Sequence, residues 1–425
     1  MNTCYQNSLL QTIMITSTPQ SIIWTAQEIR RQFPSLEQKV YGSKPLVYLD
    51  NAATTQKPQT VLDALIQHYN YSNANVHRAM HVLADRATEA LENSRKTVQK
   101  FINAPVPEEI IFTSGTTASI NLVASSYGQV YIQPGDEIII SHMEHHANIV
   151  PWQMLCQAKG AHLKVVPIDD RGELIMSAFE QLLTEKTKLV AVAYASNNLG
   201  TINPIHEMIA KAHDAGALVL IDAAQAAAHL PIDVQSLDCD FLAFSAHKAY
   251  GPTGVGILYG KRALLERMPP YQGGGEMIKE VTLLGSTYND IPYKFEAGTP
   301  NIADIIAFRA ALEFIQHIGW EYINSHELQL INYAQELFSK LDKVKMVGTI
   351  SNKIGIISFN IATIHHLDVG MLLDAQGIAV RTGHGCAQPL MQRLGVEGIV
   401  RVSFAVYNTF EEIDYLATAV AKIAE

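Results

Sequence analysis

The chain has 425 residues, of which 48% are hydrophobic and 17% charged, a balance typical of a globular protein with room for two or three domains. Its net charge of −10 argues against a nucleic-acid partner, and no apolar run approaches the ~20 residues that span a bilayer. Residues 1–22 contain no Lys or Arg, which disfavours a basic targeting peptide. Because they are polar and rich in Ser, Thr and Gln, we expect a loose N-terminal extension there.

Strand and helix patterns alternate between about residues 109 and 260. Short apolar runs predict buried strands at 109–112, 138–140, 163–166, 189–192, 218–221, 241–244 and 255–258. Repeated units of this kind favour a doubly wound, mostly parallel α/β sheet. Beyond about residue 310, predicted helices at 306–318 and 327–341 precede predicted strands at 354–359 and 399–404, which indicates a smaller α+β domain.

These patterns predict a division of the chain into domains. We expect residues 23–45 to pack with the small domain, residues 46–310 to form the large domain, and residues 311–425 to form the small one. Functional side chains from both domains would then meet in the cleft between them.

The first candidate site follows the strand at 109–112. Thr113-Ser114-Gly115-Thr116-Thr117 precedes a helix predicted to begin at Ala118. Hydroxyl groups and backbone N–H groups at a helix N-terminus bind anions such as phosphate. Ser and Thr also cap helices routinely, so this loop alone is weak evidence.

A second candidate, Asp222, ends the apolar run at 218–221, and Gln225 lies about one helical turn further on. Ligands of α/β proteins bind at the carboxyl ends of such strands. An acid there suits the ring nitrogen of pyridoxal 5'-phosphate (PLP), which it keeps protonated, and Gln225 could reach the ring hydroxyl. The alternative is that Asp222 only caps a helix.

Lys248 is the third candidate. It follows the run at 241–244 within Ser245-Ala246-His247-Lys248, just before a glycine-rich turn. A desolvated lysine is costly unless it is paired or neutral, and one use for it is as an amine nucleophile. A lysine that extends to solvent is the alternative. The order of phosphate loop, acid and lysine resembles PLP enzymes of the aspartate-aminotransferase fold (fold type I).

The four cysteines, Cys4, Cys156, Cys239 and Cys386, form no CxxC pair, which favours a reducing cytoplasm over a disulfide framework. Cys156 and Cys239 lie in apolar contexts typical of buried small residues. Cys386 alone lies on a glycine-rich loop, and it therefore becomes the candidate nucleophile.

The segment at 381–389, Arg-Thr-Gly-His-Gly-Cys-Ala-Gln-Pro, resembles the active-site loop of group II (SufS-like) cysteine desulfurases, class V aminotransferase relatives that are close to selenocysteine lyases. Other segments match the family in the same order along the chain: Leu49-Asp50-Asn51-Ala52-Ala53-Thr54-Thr55, Val76-His77-Arg78, Met143-Glu144-His145-His146-Ala147-Asn148, Gly273-Gly274-Gly275-Glu276-Met277 and Phe295-Glu296-Ala297-Gly298-Thr299-Pro300. Two departures are Gly385, where the family usually has a second histidine, and Ala246, where it has glycine. We expect Gly385 to loosen the loop.

The resemblance implies a role for each candidate. Lys248 would carry PLP, Cys386 would accept sulfur and His145 would stack on the ring. Thr299 would reach the phosphate of a neighbouring subunit, which implies a two-fold homodimer. The remaining cofactor contacts would come from Asp222, Gln225, Asn197, Thr116, Thr117, Ser245 and His247, and those to substrate from Arg381, Arg401, Asn197 and His77. From the sequence alone, Arg401 could equally be a surface charge.

The activity implied is removal of sulfur from L-cysteine to give alanine and a persulfide on Cys386. The same site could also remove selenium from L-selenocysteine. A Suf-type acceptor protein would collect that sulfur for iron–sulfur cluster assembly. A metal site at His142, His145 and His146 is disfavoured, since no carboxylate or cysteine set completes a ligand shell. Transamination, kynurenine cleavage and a non-catalytic scaffold are the alternatives, because a fold does not determine a reaction.

Overall fold

The computed structural model describes residues 24–425, so the predicted extension at 1–22 and Cys4 lie outside the described residues. A seven-stranded sheet dominates this part of the chain. Gly256–Gly260 runs antiparallel to both of its neighbours in that sheet, and the other pairings are parallel. The order of strands across the sheet is Ile110–Thr113, Gly256–Gly260, Phe241–Ser245, Leu218–Asp222, Thr187–Ala193, Glu137–Ser141 and His162–Val166.

Both faces of this sheet are buried, which explains the unbroken apolar runs in its strands. Ile138 and Ile140 pack in one apolar core, whereas Ile139 packs in the core on the opposite face. The helices of the first face are Thr116–Val123, Val150–Lys159 and Arg262–Arg267. Those of the second are Gln59–Tyr71, Val82–Phe101, Met176–Leu182, Ile205–Asp214 and Ile302–Ile318. The prediction of a mostly parallel α/β sheet is confirmed.

A second, antiparallel sheet has four strands in the order Val344–Val347, Ile356–Ile361, Ile399–Ser403 and Arg381–Gly383. Its core includes Leu330, Phe359 and Leu416, and three helices cover it: Trp320–Phe338, His366–Asp374 and Phe410–Ala424. The helix predicted at 327–341 begins earlier, at Trp320, because Gly319 (φ +84°) separates it from the preceding helix. Val47 and Leu49 share this core, and the domain boundaries stay a prediction.

Strand register determines which side chains meet at the edge of the large sheet. Asp222 pairs with Ala243, so the acid and the segment that carries Lys248 leave neighbouring strands at the same edge. Gly256 pairs with both Thr113 and Ser245, which brings the hydroxyl-rich loop beside the lysine segment. Between residues 24 and 425, no helix has the length and apolar character needed to cross a bilayer.

Candidate active site

A cavity of about 390 Å³ opens where the two sheets face each other, a size typical of small-molecule sites. All the candidate site residues except His77 and Thr299 line it. They are Thr116, Thr117, His145, Asn197, Asp222, Gln225, Ser245, His247, Lys248, Arg381, Cys386 and Arg401.

Lys248 and Asp222 form the floor of the cavity. Burial lowers the pKa of the Lys248 amine, against the carboxylate of Asp222, which raises it. Burial raises the pKa of Asp222, while the N–H of Ala224, which donates to Oδ1 at 2.9 Å, and the charge of Lys248 lower it. A lysine in these surroundings reaches its neutral, nucleophilic form more easily than an exposed one.

Two imidazoles of the cavity are neutral at pH 7. Burial, followed by the charge of Lys248, lowers the pKa of His145 and of His247 to about 4 in each case. His145 Nδ1 accepts the N–H of Ala147 at 3.0 Å, so its proton lies on Nε2. His145 therefore presents a flat, uncharged ring to the cavity.

Directly before His145 lies Glu144, which is fully buried. Its carboxylate accepts hydrogen bonds from Ser141 Oγ, from Asn148 Nδ2 at 2.7 Å and from the N–H of Ala193 at 3.1 Å. Burial raises the pKa of this carboxyl to about 7. Glu144 thus fastens the turn that holds the His145 ring to a central strand of the sheet.

The hydroxyl groups at one end of the cavity form an anion cradle. Thr116 donates its backbone N–H to Ser245 Oγ at 2.8 Å, and the two hydroxyl oxygens are 2.7 Å apart. A Cβ at Gly256 would lie 2.3 Å from the backbone of Gly115, so only glycine lets the helix N-terminus approach this strand so closely. Backbone N–H groups, hydroxyls and the helix dipole there favour a phosphate.

The two arginines lie opposite each other on neighbouring strands and share one carboxylate. Arg381 Nη2 and Arg401 Nη2 bond to the two oxygens of Asp50, at 2.6 and 3.2 Å respectively. Arg401 is 3% exposed, which excludes the surface-charge alternative, and it also donates to the carbonyl of Asn197 at 2.8 Å. Its Nε is buried and has no hydrogen-bond partner among the described residues.

Cys386 is exposed and lies on the loop between the strand Arg381–Gly383 and the helix Gln388–Leu394. Its φ of +56° is in the left-handed region. The other two described cysteines, Cys156 and Cys239, are buried, and burial raises the pKa of both thiols. Within residues 24–425, Cys386 is therefore the cysteine that a reagent in the cavity can reach.

Two predicted site residues do not reach this cavity. His77 Nε2 contacts Glu92 Oε1 at 3.1 Å, and its ring packs against Tyr293. Thr299 lines a separate surface pocket together with Ser114 and Asn301. Their assignments to substrate and to a neighbouring subunit stay predictions. In residues 24–425, no group of His, Cys, Asp or Glu side chains is arranged to hold a metal ion.

Sequence reasoning missed three residues that orient the site: Asp50, Glu144 and Asn198. Asp50 and Glu144 lie in matched motifs without an assigned role, and Asn198 directly follows the candidate Asn197. Asp50 and Glu144 are buried carboxylates, which sequences disfavour unless a partner is present, and this was the available signal. Asn198 gave no signal, because its partners are distant in sequence.

Comparison with known proteins places these residues in a wider context. The family model described as aminotransferase class-V matches residues 47–416. A probable cysteine desulfurase of Mycolicibacterium paratuberculosis is 52% identical over 403 residues, 95% of this chain, but the chain spans only 59% of that relative. A cysteine desulfurase of Escherichia coli is 50% identical over 95% of this chain and 99% of its own length.

Among solved structures, an apo structure of a cysteine desulfurase from Thermococcus onnurineus superimposes with a TM-score of 0.89. It is 38% identical in sequence, and the superposition covers 93% of this chain and 97% of that one.

Proposed function

The chain belongs to the class-V aminotransferase family, and we propose that it is a PLP-dependent cysteine desulfurase. The predicted family and the predicted fold are confirmed by these matches. One observation carries the activity. Lys248, just after a strand of the large sheet, and Cys386, on the loop after a strand of the small sheet, open into the same cavity. An amine suited to proton transfer and an accessible thiol are the two groups that desulfuration needs.

The side chains of the cavity fit PLP in charge and in hydrogen-bonding capacity. The Thr116–Ser245 cradle supplies donors for a phosphate, Asp222 suits a protonated ring nitrogen, and His145 offers a flat neutral ring. Asn197 Oδ1 is buried without a partner, which a polar ring substituent would satisfy. Lys248 would hold the aldehyde through its amine. When bound, PLP supplies an electron sink for charge that develops at the substrate Cα.

Within this arrangement Lys248 acts as the base. Its lowered pKa leaves more of the amine neutral near pH 7, and a neutral amine can take the proton from Cα of the substrate. The buried Asp222 opposes this shift, because its charge raises the pKa of the Lys248 amine.

Cys386 then receives the sulfur. Its thiolate attacks the sulfur of L-cysteine, a new S–S bond forms, and the C–S electron pair remains with the carbon that becomes the alanine methyl group. The enzyme keeps a persulfide on Cys386, so no external oxidant is required. Arg401, with an unpartnered Nε, would hold the substrate carboxylate in line for this attack.

The experiment that tests this function supplies L-cysteine and measures alanine, sulfide and keto acids separately. Alanine and sulfide in equal amounts with a reducing thiol present support desulfuration. A keto acid without sulfide would instead indicate transamination. L-Selenocysteine in a parallel assay determines whether the same cavity also acts on selenium.

We propose that the active protein is a two-fold homodimer with shared sites. This rests on the position of Thr299, which lies on the surface of one chain and outside its own cavity. Thr299→Ala should weaken PLP retention, measured by cofactor absorbance after gel filtration. A monomer with full activity in light scattering would contradict the proposal.

We further propose that a Suf-type acceptor protein in the cytoplasm takes the sulfur onward to iron–sulfur clusters. The Cys386 loop is exposed but anchored at both ends, so the persulfide stays near the cavity and blocks the next cycle until it is removed. Steady-state alanine release should therefore rise when a cognate acceptor or excess dithiothreitol is added. Equal rates with no addition, with the acceptor and with dithiothreitol would exclude persulfide removal as the limiting step.

A further inference from the structure

The Cys386 loop is tied to the large sheet through its backbone. The three successive carbonyls of residues 384–386 each accept a hydrogen bond from across the cavity. The donors are Asn198 Nδ2 to the first carbonyl at 2.8 Å, Asn197 Nδ2 to the second at 2.6 Å and the N–H of His146 to the third at 2.7 Å. Such a set of contacts fixes the path of the backbone on which the thiol stands.

Asn198 also fills the space beside Gly385. A Cβ built at Gly385 would lie 2.0 Å from Asn198 Oδ1 and 2.9 Å from its Nδ2. Gly385 has a φ of +56°, which glycine adopts without the strain that other residues incur. These contacts argue against the expectation that Gly385 loosens the loop, because the asparagine occupies the room that the missing side chain leaves.

Asn198 cannot easily turn away from this position. The side chain is completely buried, and its backbone carbonyl accepts a hydrogen bond from Ser358 Oγ of the small sheet at 2.6 Å. Its Nδ2 is directed to the His384 carbonyl, which leaves Oδ1 facing Gly385 without a hydrogen-bond partner. The small sheet therefore holds the backbone of Asn198 and the loop holds its side-chain amide. The unsatisfied oxygen is a cost that the positioning of the loop must offset.

We propose that Asn198 is a positioning residue for Cys386, and that Asn198 and Gly385 form a matched pair which sets where the thiol stands in the cavity. The proposal rests on the proposed function, because the position of the thiol matters only if the thiol must reach the substrate sulfur. Without the amide, the loop loses one of the three hydrogen bonds to its carbonyls and gains space to move. The attacking sulfur would then spend less time in line, which lowers the rate of transfer but leaves cofactor binding unaffected.

The first test removes the amide. Asn198→Ala removes both the hydrogen bond and the bulk, whereas Asn198→Asp keeps the size but removes the donor. We expect persulfide formation on Cys386 in a single turnover to fall about tenfold in each variant, with PLP absorbance and the spectral change on adding L-cysteine preserved. Asn360→Ala is the matched control, because it deletes a comparable amide-to-carbonyl bond, to Gly398, away from the loop.

The second test measures the pairing directly with a double-mutant cycle. Gly385→Ala should lower persulfide formation by about tenfold or more, because its methyl group meets the Asn198 amide. The double variant Gly385→Ala/Asn198→Ala should be no slower than the slower single variant, since the alanine at 385 then has room. If the rate reduction in the double variant equals the product of the two single-variant reductions, the residues act independently and the matched pair is refuted.

A readout without substrate separates this proposal from the proposed function. The rate at which iodoacetamide alkylates Cys386 in the protein without L-cysteine reports the exposure and mobility of the loop. It should rise in Asn198→Ala, and the double-mutant cycle should show the same coupling in this rate. If wild type releases no alanine while the alkylation coupling persists, the proposed function fails and the pairing stands. If alkylation is unchanged in every variant, the positioning role is wrong.

Discussion

The two walls of the cavity are built in different ways. The wall that carries Lys248 and Asp222 consists of the ends of paired strands, whose register places each side chain. The wall that carries Cys386 is a loop with left-handed backbone at Gly383, Gly385 and Cys386. It is held by hydrogen bonds from the turn that follows the strand Thr187–Ala193 of the large sheet. Paired strands fix the side chains at their ends through many backbone hydrogen bonds, whereas the loop depends on a few identifiable contacts.

This difference predicts two kinds of failure. A substitution on the strand-end wall should disturb cofactor binding or proton transfer, because those side chains would contact the cofactor. A substitution on the loop wall should leave the cofactor in place and interrupt sulfur transfer alone. Measurements that separate cofactor spectra from sulfur release therefore test the division directly.

The largest effect is expected from Lys248→Ala. Loss of the amine removes both the attachment point and the base, so turnover should fall by at least about 10³-fold. In wild type, borohydride reduction should attach the cofactor to the peptide that contains Lys248. The peptide with Lys353, another buried lysine, whose pKa burial lowers to about 8, should stay unmodified. A trapped adduct on any other lysine would show that the assignment is wrong.

Cys386→Ala should abolish sulfur release as completely but preserve the spectral change on adding L-cysteine. The thiol belongs to the loop wall, and the strand-end wall remains intact without it. Mass spectrometry of wild type after L-cysteine should show one added sulfur on the peptide with Cys386. Cys156→Ala serves as the control, because that thiol is buried away from the cavity and its loss should leave sulfur release intact. A persulfide on Cys156 or Cys239 would overturn the division.

Asp50→Asn tests the residue that anchors the two arginines of the cavity. Its carboxylate holds both Arg381 and Arg401, so the neutral amide leaves two guanidinium groups close together with less to orient them. We expect KM for L-cysteine to rise about tenfold or more, with a smaller fall in kcat. Asp170→Asn removes an exposed ion pair with Arg393 and should change neither constant. A fall in kcat with KM unchanged would contradict an anchoring role.

The same contrast explains how much the sequence could predict. Thr116, Asp222 and Lys248 each follow an apolar run, and the carboxyl ends of such runs converge in a doubly wound sheet, so that wall could be anticipated from the chain. The Cys386 loop was identifiable only by its resemblance to a family. Its attachment to Asn198 depends on a contact between residues 186 positions apart, which no local pattern encodes.

The smallest effect on turnover is expected from Glu144→Gln, which acts on the support of the strand-end wall. The folded-state pKa of Glu144 is raised to about 7 from 4.5, so the unfolded chain ionises first as the pH rises. Wild type therefore loses stability between about pH 4.5 and 7, by about 3 kcal/mol from this group, and glutamine does not. The contribution of His145 to stability changes with pH in the opposite direction, since its pKa is lowered to about 4, but both proteins share that contribution and it cancels in their difference.

The difference in Tm between variant and wild type should thus shift in favour of Glu144→Gln as the pH rises from 5 to 8, while kcat falls only a few-fold. Asp170→Asn is the matched control, because it makes the same replacement of a carboxylate by an amide at an exposed position. A difference in Tm that stays constant with pH for Glu144→Gln would mean that the carboxylate beneath His145 is ionised throughout, and that this support is built on a permanent charge.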